Sequence, residues 1–259
     1  MDIEPNHSLS HYNLGLVFKD LNKKEEAVFN YLKAIEINPN HPLAHINLGI
    51  IFNSLDKKEE AANCYRKAII IEPDNFSAHY NLGNVLKSQN KKLEAVKSYS
   101  RAIEIEPNSA AAIFNLGNVL DELNRKEEAV QAYLKVIEIN PNKASYHFNL
   151  GVVLVELNKK EEAVKSYIKA IEIDPNDSDF HFNLGVVLNS LNRKEEAVKC
   201  FKRAIKIDPK DATTYYYLGN VLKSMNKKED AVKVFLKVIE VKPNTPLAKK
   251  TLNIIKELM

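Results

Sequence analysis

Histidine, cysteine and asparagine are the residues of this chain whose types and spacing could do chemistry, and each recurs at a fixed interval. Five of the seven histidines, His11, His45, His79, His147 and His181, are separated by 34 residues or a multiple of it. Imidazoles can hold a metal, but a site needs three or four ligands that converge, and no cysteine or carboxylate converges with these. On parallel helices, successive histidines would stand about 10 Å apart. They are read instead as core side chains of aromatic shape, each with one ring nitrogen hydrogen-bonded, and no metal or other cofactor is expected. Cys64 and Cys200 occupy equivalent positions far apart in the chain, beyond the roughly 7 Å that a disulfide spans, and are read as free thiols. The asparagines are more suggestive. Asn13, Asn47, Asn81, Asn115, Asn149 and Asn183 keep the same interval of 34, and a side-chain amide both donates and accepts.

The elements that must position these residues follow from the same period. All seven glycines, from Gly15 to Gly219, are spaced by 34, and each follows a leucine. Seven prolines from Pro39 to Pro243 and seven alanines from Ala27 to Ala231 keep the register. One repeat therefore runs over 8–41, and six copies follow over 42–75, 76–109, 110–143, 144–177, 178–211 and 212–245. Because every glycine belongs to the repeat, none is left for a phosphate-binding loop or a nucleophile elbow. The chain is expected not to be an enzyme, although a catalytic domain outside it stays open.

Within the repeat over 144–177, His147, Leu150, Gly151 and Leu154 form one stripe of a first helix. Asn158 stands where a left-handed residue ends that helix, and every repeat has Asn or Asp there. A second helix opens with Lys-Lys-Glu-Glu and places Ala163, Tyr167, Ala170 and Ile171 on its apolar side, until Pro175 blocks continuation. A single helical hairpin cannot bury this face, so neighbours must stack into a solenoid.

This period and its Gly, Ala and Pro positions resemble the tetratricopeptide repeat family over 8–245. The resemblance implies an all-α, right-handed superhelical solenoid of seven antiparallel helix pairs. Residues 246–259 read as a C-terminal capping helix, with Leu247, Thr251, Ile254, Ile255 and Leu258 set against Lys249, Lys250, Asn253, Lys256 and Glu257. Residues 1–7 read as the tail of a preceding repeat, since Ile3-Glu4-Pro5-Asn6 matches Ile105-Glu106-Pro107-Asn108. On that basis the chain is expected to be a fragment of a longer repeat protein. One departure from the family is the fourth repeat position, where an aromatic residue is usual and histidine prevails here.

In this family the second, sixth, ninth and thirteenth positions of the first helices line a concave groove. The resemblance therefore places the six amides there, with Asn84, Asn118 and Asn220 at ninth positions and Glu122 and Glu156 at thirteenth positions. The row of amides is similar to the asparagine ladder of the repeat region of O-linked N-acetylglucosamine transferases, where such amides hold the backbone of a target. Ordinary family consensus at the sixth position is the competing reading. The expected function is a protein-interaction module that takes an extended peptide or partner protein in its groove. The substrate-recruiting arm of such a transferase is the alternative. Asp121, Glu122, Glu156 and Asp179 would favour a basic stretch of ligand by complementarity. The clamp with which some members hold chaperone C-terminal carboxylates needs basic residues at the second, fifth and sixth positions. The fifth is Tyr12, Ile46, Tyr80, Phe114, Phe148, Phe182 and Tyr216, and the second and sixth carry no Lys or Arg, so that mode is excluded.

Composition narrows the partners further. A net charge of +3 from 37 basic and 34 acidic side chains is too balanced to point to nucleic acid. No apolar run approaches the roughly 18 residues of a membrane span, and the first residues lack a signal peptide's pattern. An intracellular, cytoplasmic location is the expectation, with no membrane partner.

Overall fold

A computed structural model describes residues 7–258, and the expected repeat tail over 1–7 lies outside them except for His7. Every element among the described residues is a helix. The chain divides into two compact units, Met1–Lys135 and Val136–Met259.

In the first unit the helices pair in order: α1 (Ser8–Asp20) with α2 (Lys24–Ile37), α3 (Pro42–Ser54) with α4 (Lys58–Ile71), and α5 (Phe76–Ser88) with α6 (Lys92–Ile105). Then come α7 (Ala110–Glu122) and α8 (Lys126–Ile139), and the boundary between the units falls within α8. In the second unit α9 (Ala144–Glu156) pairs with α10 (Lys160–Ile173), α11 (Ser178–Ser190) with α12 (Lys194–Ile207), and α13 (Ala212–Ser224) with α14 (Lys228–Val241). The last helix, α15 (Pro246–Leu258), lies on α14 and buries Ala248, Thr251 and Ile255.

The sequence marks both ends of each first helix. Polar residues cap the starts of all but α9, which follows Lys143 and has no side-chain cap: the Asn75 carboxamide accepts from the Ala78 N–H at 3.0 Å, and the Ser109 hydroxyl accepts from the Ala112 N–H at 3.4 Å. The ends are left-handed. Asn22, Asp56, Asn90, Asn124, Asn158, Asn192 and Asn226 all have φ between 56° and 60°, a region where asparagine is tolerated better than most residues. The turn after α9 closes with Lys159 N–H on the Leu154 carbonyl at 2.8 Å, a six-to-one bond that satisfies an orphan helix carbonyl. The second helices α2, α4, α6, α10, α12 and α14 have no side-chain cap and instead carry Glu in the first turn, as at Glu25 and Glu26, where the helix dipole favours negative charge.

Glycine and an aromatic ring lock each hairpin. A Cβ added at Gly83 would lie 2.7 Å from Tyr99 Cε1, and one at Gly151 would lie 2.7 Å from Tyr167 Cε1. None of the glycines has positive φ, so close approach rather than backbone freedom is what they provide. Tyr31, Tyr65, Tyr99 and Tyr133 in the first unit, and Tyr167, Phe201 and Phe235 in the second, are fully buried by this contact. Each ring removed from water contributes about 1.5–3 kcal/mol. Around 144–177, Leu150, Gly151 and Leu154 are buried as the stripe requires, whereas His147 and Ile171 are only half-buried.

A second apolar stripe, not anticipated from the period, faces the neighbouring repeat. Ile51 and Val85 are 3% and 1% exposed, whereas Val17, the equivalent residue of α1, is 52% exposed. Burial at that position is therefore a stacking effect rather than a property of the hairpin itself.

Candidate functional site

The first helices of the first unit lie side by side, α3 touching α5 and α5 touching α7, and the expected groove residues fall on them. They are not equivalent. Asn13 is exposed and Asn81 half-buried, and neither side chain has a hydrogen-bond partner among the described residues. Asn47 is nearly buried and fully engaged: Nδ2 donates to the Leu43 carbonyl at 3.0 Å and to the Tyr12 hydroxyl at 3.3 Å, and Oδ1 accepts from Lys19 Nζ at 3.2 Å. Asn115 Nδ2 donates to the Tyr80 hydroxyl at 3.3 Å and to Asn84 Oδ1 at 3.1 Å. Asn84 Oδ1 also accepts from the Tyr99 hydroxyl at 2.7 Å, and Asn118 Oδ1 accepts from the Tyr133 hydroxyl at 2.8 Å.

In the second unit Asn149 and Asn183 are half-buried on α9 and α11. Asn183 Nδ2 donates to the Asp179 carbonyl one turn earlier at 2.8 Å, and Asn220 Nδ2 does the same to Tyr216 at 3.0 Å.

Tyrosine hydroxyls explain much of this inequality, and sequence reasoning missed them. A tyrosine at the fifth position, Tyr12 or Tyr80, takes a donor from the amide one repeat later. Ile46 stands at that position before Asn81 and offers nothing polar. The buried tyrosine of the second helix gives its proton to a ninth-position amide where one exists, as Tyr99 does to Asn84. Where Leu16 occupies the ninth position, the Tyr31 hydroxyl is buried without a partner. Burial holds the Tyr99 phenol well above the ordinary tyrosine range, reinforced by the nearby Tyr80 and Glu122, so it remains a donor. The signal available in the sequence was the alternation of Tyr with Phe at these two positions.

The acidic residues are placed less simply than complementarity suggests. Glu122 is paired with Lys92 at 3.1 Å and with Lys87 at 3.8 Å, both from the preceding hairpin. Asp121 is held by Lys126 at 2.6 Å. Glu156 is exposed on α9. The Asp179 carboxyl is pushed above the usual carboxylate range by partial burial and by Asp177, Asp211 and Asp208.

Four of the periodic histidines share one partner. Nε2 of His45, His79, His147 and His181 lies 3.0, 2.8, 2.8 and 3.0 Å from the carbonyl oxygens of Pro39, Pro73, Pro141 and Pro175. Each ring thus ties the start of one repeat to the proline that ended the previous one. His11 Nδ1 instead meets Asn30 Oδ1 at 3.2 Å. No group of three metal-binding side chains forms among the described residues. Cys64 is buried and Cys200 half-buried; both are free, and burial pushes both thiols up to about 11, which leaves them protonated and unreactive at neutral pH.

The recurring Gly-Tyr lock, the left-handed Asn turn and the His-Pro tie define a repeated helical hairpin, and comparison with known proteins identifies it. Profiles described as TPR repeat match 51–90, 83–124, 117–158, 153–192 and 187–226, and profiles described as tetratricopeptide repeat match 8–41, 30–62 and 212–245. The chain belongs to the tetratricopeptide repeat family. Members of this family are generally non-catalytic and bind protein or peptide partners. No curated protein matches the sequence. Among solved structures, YrrB is similar at 26% identity and TM-score 0.64, over 74% of this chain and 99% of that one. The C-terminal part of a TPR repeat-containing protein from Cytophaga hutchinsonii has 15% identity and TM-score 0.81, over 93% and 99% of the two chains. MamA from Desulfovibrio magneticus RS-1 has 22% identity and TM-score 0.61, over 65% and 95%. The last two likenesses concern the fold alone. Among the described residues no helix is long and apolar enough to cross a membrane.

Proposed function

We propose that the face of the first helices carrying the sixth and ninth repeat positions binds an extended peptide segment of a partner protein, so that this tetratricopeptide chain acts as a scaffold. The observation that carries this reading is the state of Asn13 and Asn81. Both are carboxamides at the sixth positions of α1 and α5, accessible to solvent and without a partner among the described residues. A carboxamide left open in this way can give and take a hydrogen bond from one peptide unit, and each such bond contributes about 0.5–1.5 kcal/mol net. Several contacts are then needed for useful affinity. YrrB, described as a TPR protein with an unusual peptide-binding site, supports the reading by analogy. The recurrence of Asn at the sixth position is also what a substrate-recruiting arm of an O-linked N-acetylglucosamine transferase type would use. That is the second reading, and it employs the same face.

The test is a nuclear magnetic resonance titration with linear twelve-residue peptides selected on the protein from a random display library. Shifts concentrated at Asn13, Asn81 and their neighbours on the first helices are expected. Shifts concentrated on second-helix residues such as Lys67 and Lys97 would show that peptides bind elsewhere.

A further inference from the structure

Four side chains in the first unit form one hydrogen-bonded chain. The Tyr99 hydroxyl donates to Asn84 Oδ1, the same oxygen accepts from Asn115 Nδ2, and that nitrogen also donates to the Tyr80 hydroxyl. A lone carboxamide can present either end to a ligand. These two cannot. The inward contacts consume the oxygen of Asn84 and the nitrogen of Asn115, leaving Asn84 Nδ2 and Asn115 Oδ1 with no partner among the described residues. Both residues are half-buried, and neither open atom is a buried one, so both remain reachable by a ligand lying across α5 and α7.

We infer that Asn84 and Asn115 form a polarised clamp for one residue of an extended peptide, with Asn84 as the donor to its carbonyl, Asn115 as the acceptor of its N–H, and Tyr99 and Tyr80 as the positioning residues that fix this polarity. The inference rests on the groove reading above. In an extended chain the N–H and C=O of one residue point to the same edge, which is the pair of groups that a neighbouring donor and acceptor can serve together. Because N–H precedes C=O along a peptide, the clamp also sets direction: the ligand runs from the α7 side towards the α5 side, against the order of the repeats. The remaining sixth-position amides of the first unit are not polarised in this way. Asn47 has its nitrogen and its oxygen both engaged, whereas Asn13 and Asn81 are free to turn.

The sequence supplies variants that keep the fold. Phe201 and Phe235 stand at the positions equivalent to Tyr99 and are fully buried there, and Phe114 stands where Tyr80 does in the next repeat. Tyr99→Phe therefore removes a hydroxyl while leaving the packing that this chain already uses elsewhere.

The probe is again a linear twelve-residue peptide taken from a random display library, kept only if Asn81→Trp, which obstructs the groove beside Asn84, abolishes its binding. Tyr99→Phe should weaken it about three- to tenfold, the effect of one well-placed hydrogen bond, with unchanged helicity and an unfolding midpoint lowered by no more than the loss of that one bond. Asn84→Asp keeps the inward oxygen but loses the outward donor, and should weaken it at least as much. Scanning the peptide with backbone N-methyl groups should find one nitrogen whose methylation lowers affinity for the wild type about tenfold and for Asn115→Ala not at all. A spin label on the peptide's N-terminus should broaden α7 resonances more than α5 resonances. If no selected peptide is sensitive to Asn81→Trp, the groove reading itself fails. If sensitive peptides bind Tyr99→Phe and Asn84→Asp as they bind the wild type, or the N-methyl effect persists in Asn115→Ala, the groove stands and the polarised clamp is overturned.

Discussion

Nε2 of His45 lies 3.0 Å from the carbonyl oxygen of Pro39, so an imidazole on α3 holds the chain end that follows α2. The carbonyl can only accept, so Nε2 carries the proton and donates, in the neutral ring and the charged one alike. Burial holds the His45 pKa below the ordinary histidine value, opposed by the Pro39 hydrogen bond and aided by Lys67 and His41. His41 is lowered as well, by its own burial. An unfolded histidine titrates near 6.5, so below about that pH the unfolded chain binds protons that the folded chain refuses. Stability should therefore be level above about pH 7 and fall as pH drops through 6.5 towards the folded pKa values. Urea midpoints measured from pH 8 to pH 5 check this. His45→Ile, which places there the residue that the fourth repeat has as Ile113, should flatten part of the decline while lowering stability at pH 8 by about 0.5–1.5 kcal/mol for the lost hydrogen bond.

The glycine-tyrosine lock makes a second expectation definite in sign. Alanine favours a helix interior over glycine by about 1 kcal/mol. At Gly83, however, the new methyl would sit 2.7 Å from Tyr99 Cε1 and 2.8 Å from Cδ1, on a ring that is fully buried and cannot swing away. Overpacking a core of this kind costs typically about 1–3 kcal/mol. Gly83→Ala should thus be destabilising, read as a lower urea midpoint. An unchanged or higher midpoint would show that the hairpin can open without loss.

Those two contacts also show which parts of the molecule are legible in a sequence. Gly83, Tyr99 and Asn90 are parts of a hairpin whose contacts are local, and the same local problem is solved in every repeat, so period alone exposes the fold. The proposed groove residues obey the same period but not the same environment. Asn47 and Asn81 are identical letters at identical positions, yet one is closed by Tyr12 and Lys19 and the other is open. The difference lies in variable residues about one repeat away, at distances that depend on how hairpins stack. Charge fared likewise, since Glu122 looks like a free acid until Lys87 and Lys92 of the preceding hairpin are brought beside it.

The left-handed turns give a prediction in which backbone strain dominates. Asn90 has φ 60° and lies exposed after α5, where its side chain buries nothing. Asn90→Val puts a β-branched residue in the left-handed region and should cost about 1–2 kcal/mol. Asn90→Gly removes the Cβ conflict and should stay close to the wild type. Thermal or urea unfolding of the pair separates strain from side-chain loss: equal destabilisation by both variants would mean that the Asn90 side chain matters and its conformation does not.

Glu122 gives the last expectation, which reverses what complementarity alone suggests. Taken by itself, a carboxylate on the proposed binding face of α7 attracts basic ligands, and its removal should weaken them. The ion pairs with Lys92 at 3.1 Å and Lys87 at 3.8 Å change the balance. Glu122→Gln leaves two ammonium groups beside the proposed binding face without their shared partner, so the cluster, already one charge positive, becomes two charges positive. Exposed pairs of this kind are worth about 0.2–1 kcal/mol. Acidic groove-binding peptides should therefore bind Glu122→Gln up to about fivefold more tightly than wild type at low salt, and basic ones should lose little, because the attraction they would forfeit is already cancelled. Raising the salt to about 0.5 M shortens the screening length to a few ångströms and should erase the gain. Titration of one acidic and one basic display-selected peptide at both salt concentrations is the measurement. A selective loss of the basic peptide, with no gain for the acidic one, would mean that Glu122 faces ligands directly and that its lysine pairs do not persist in solution.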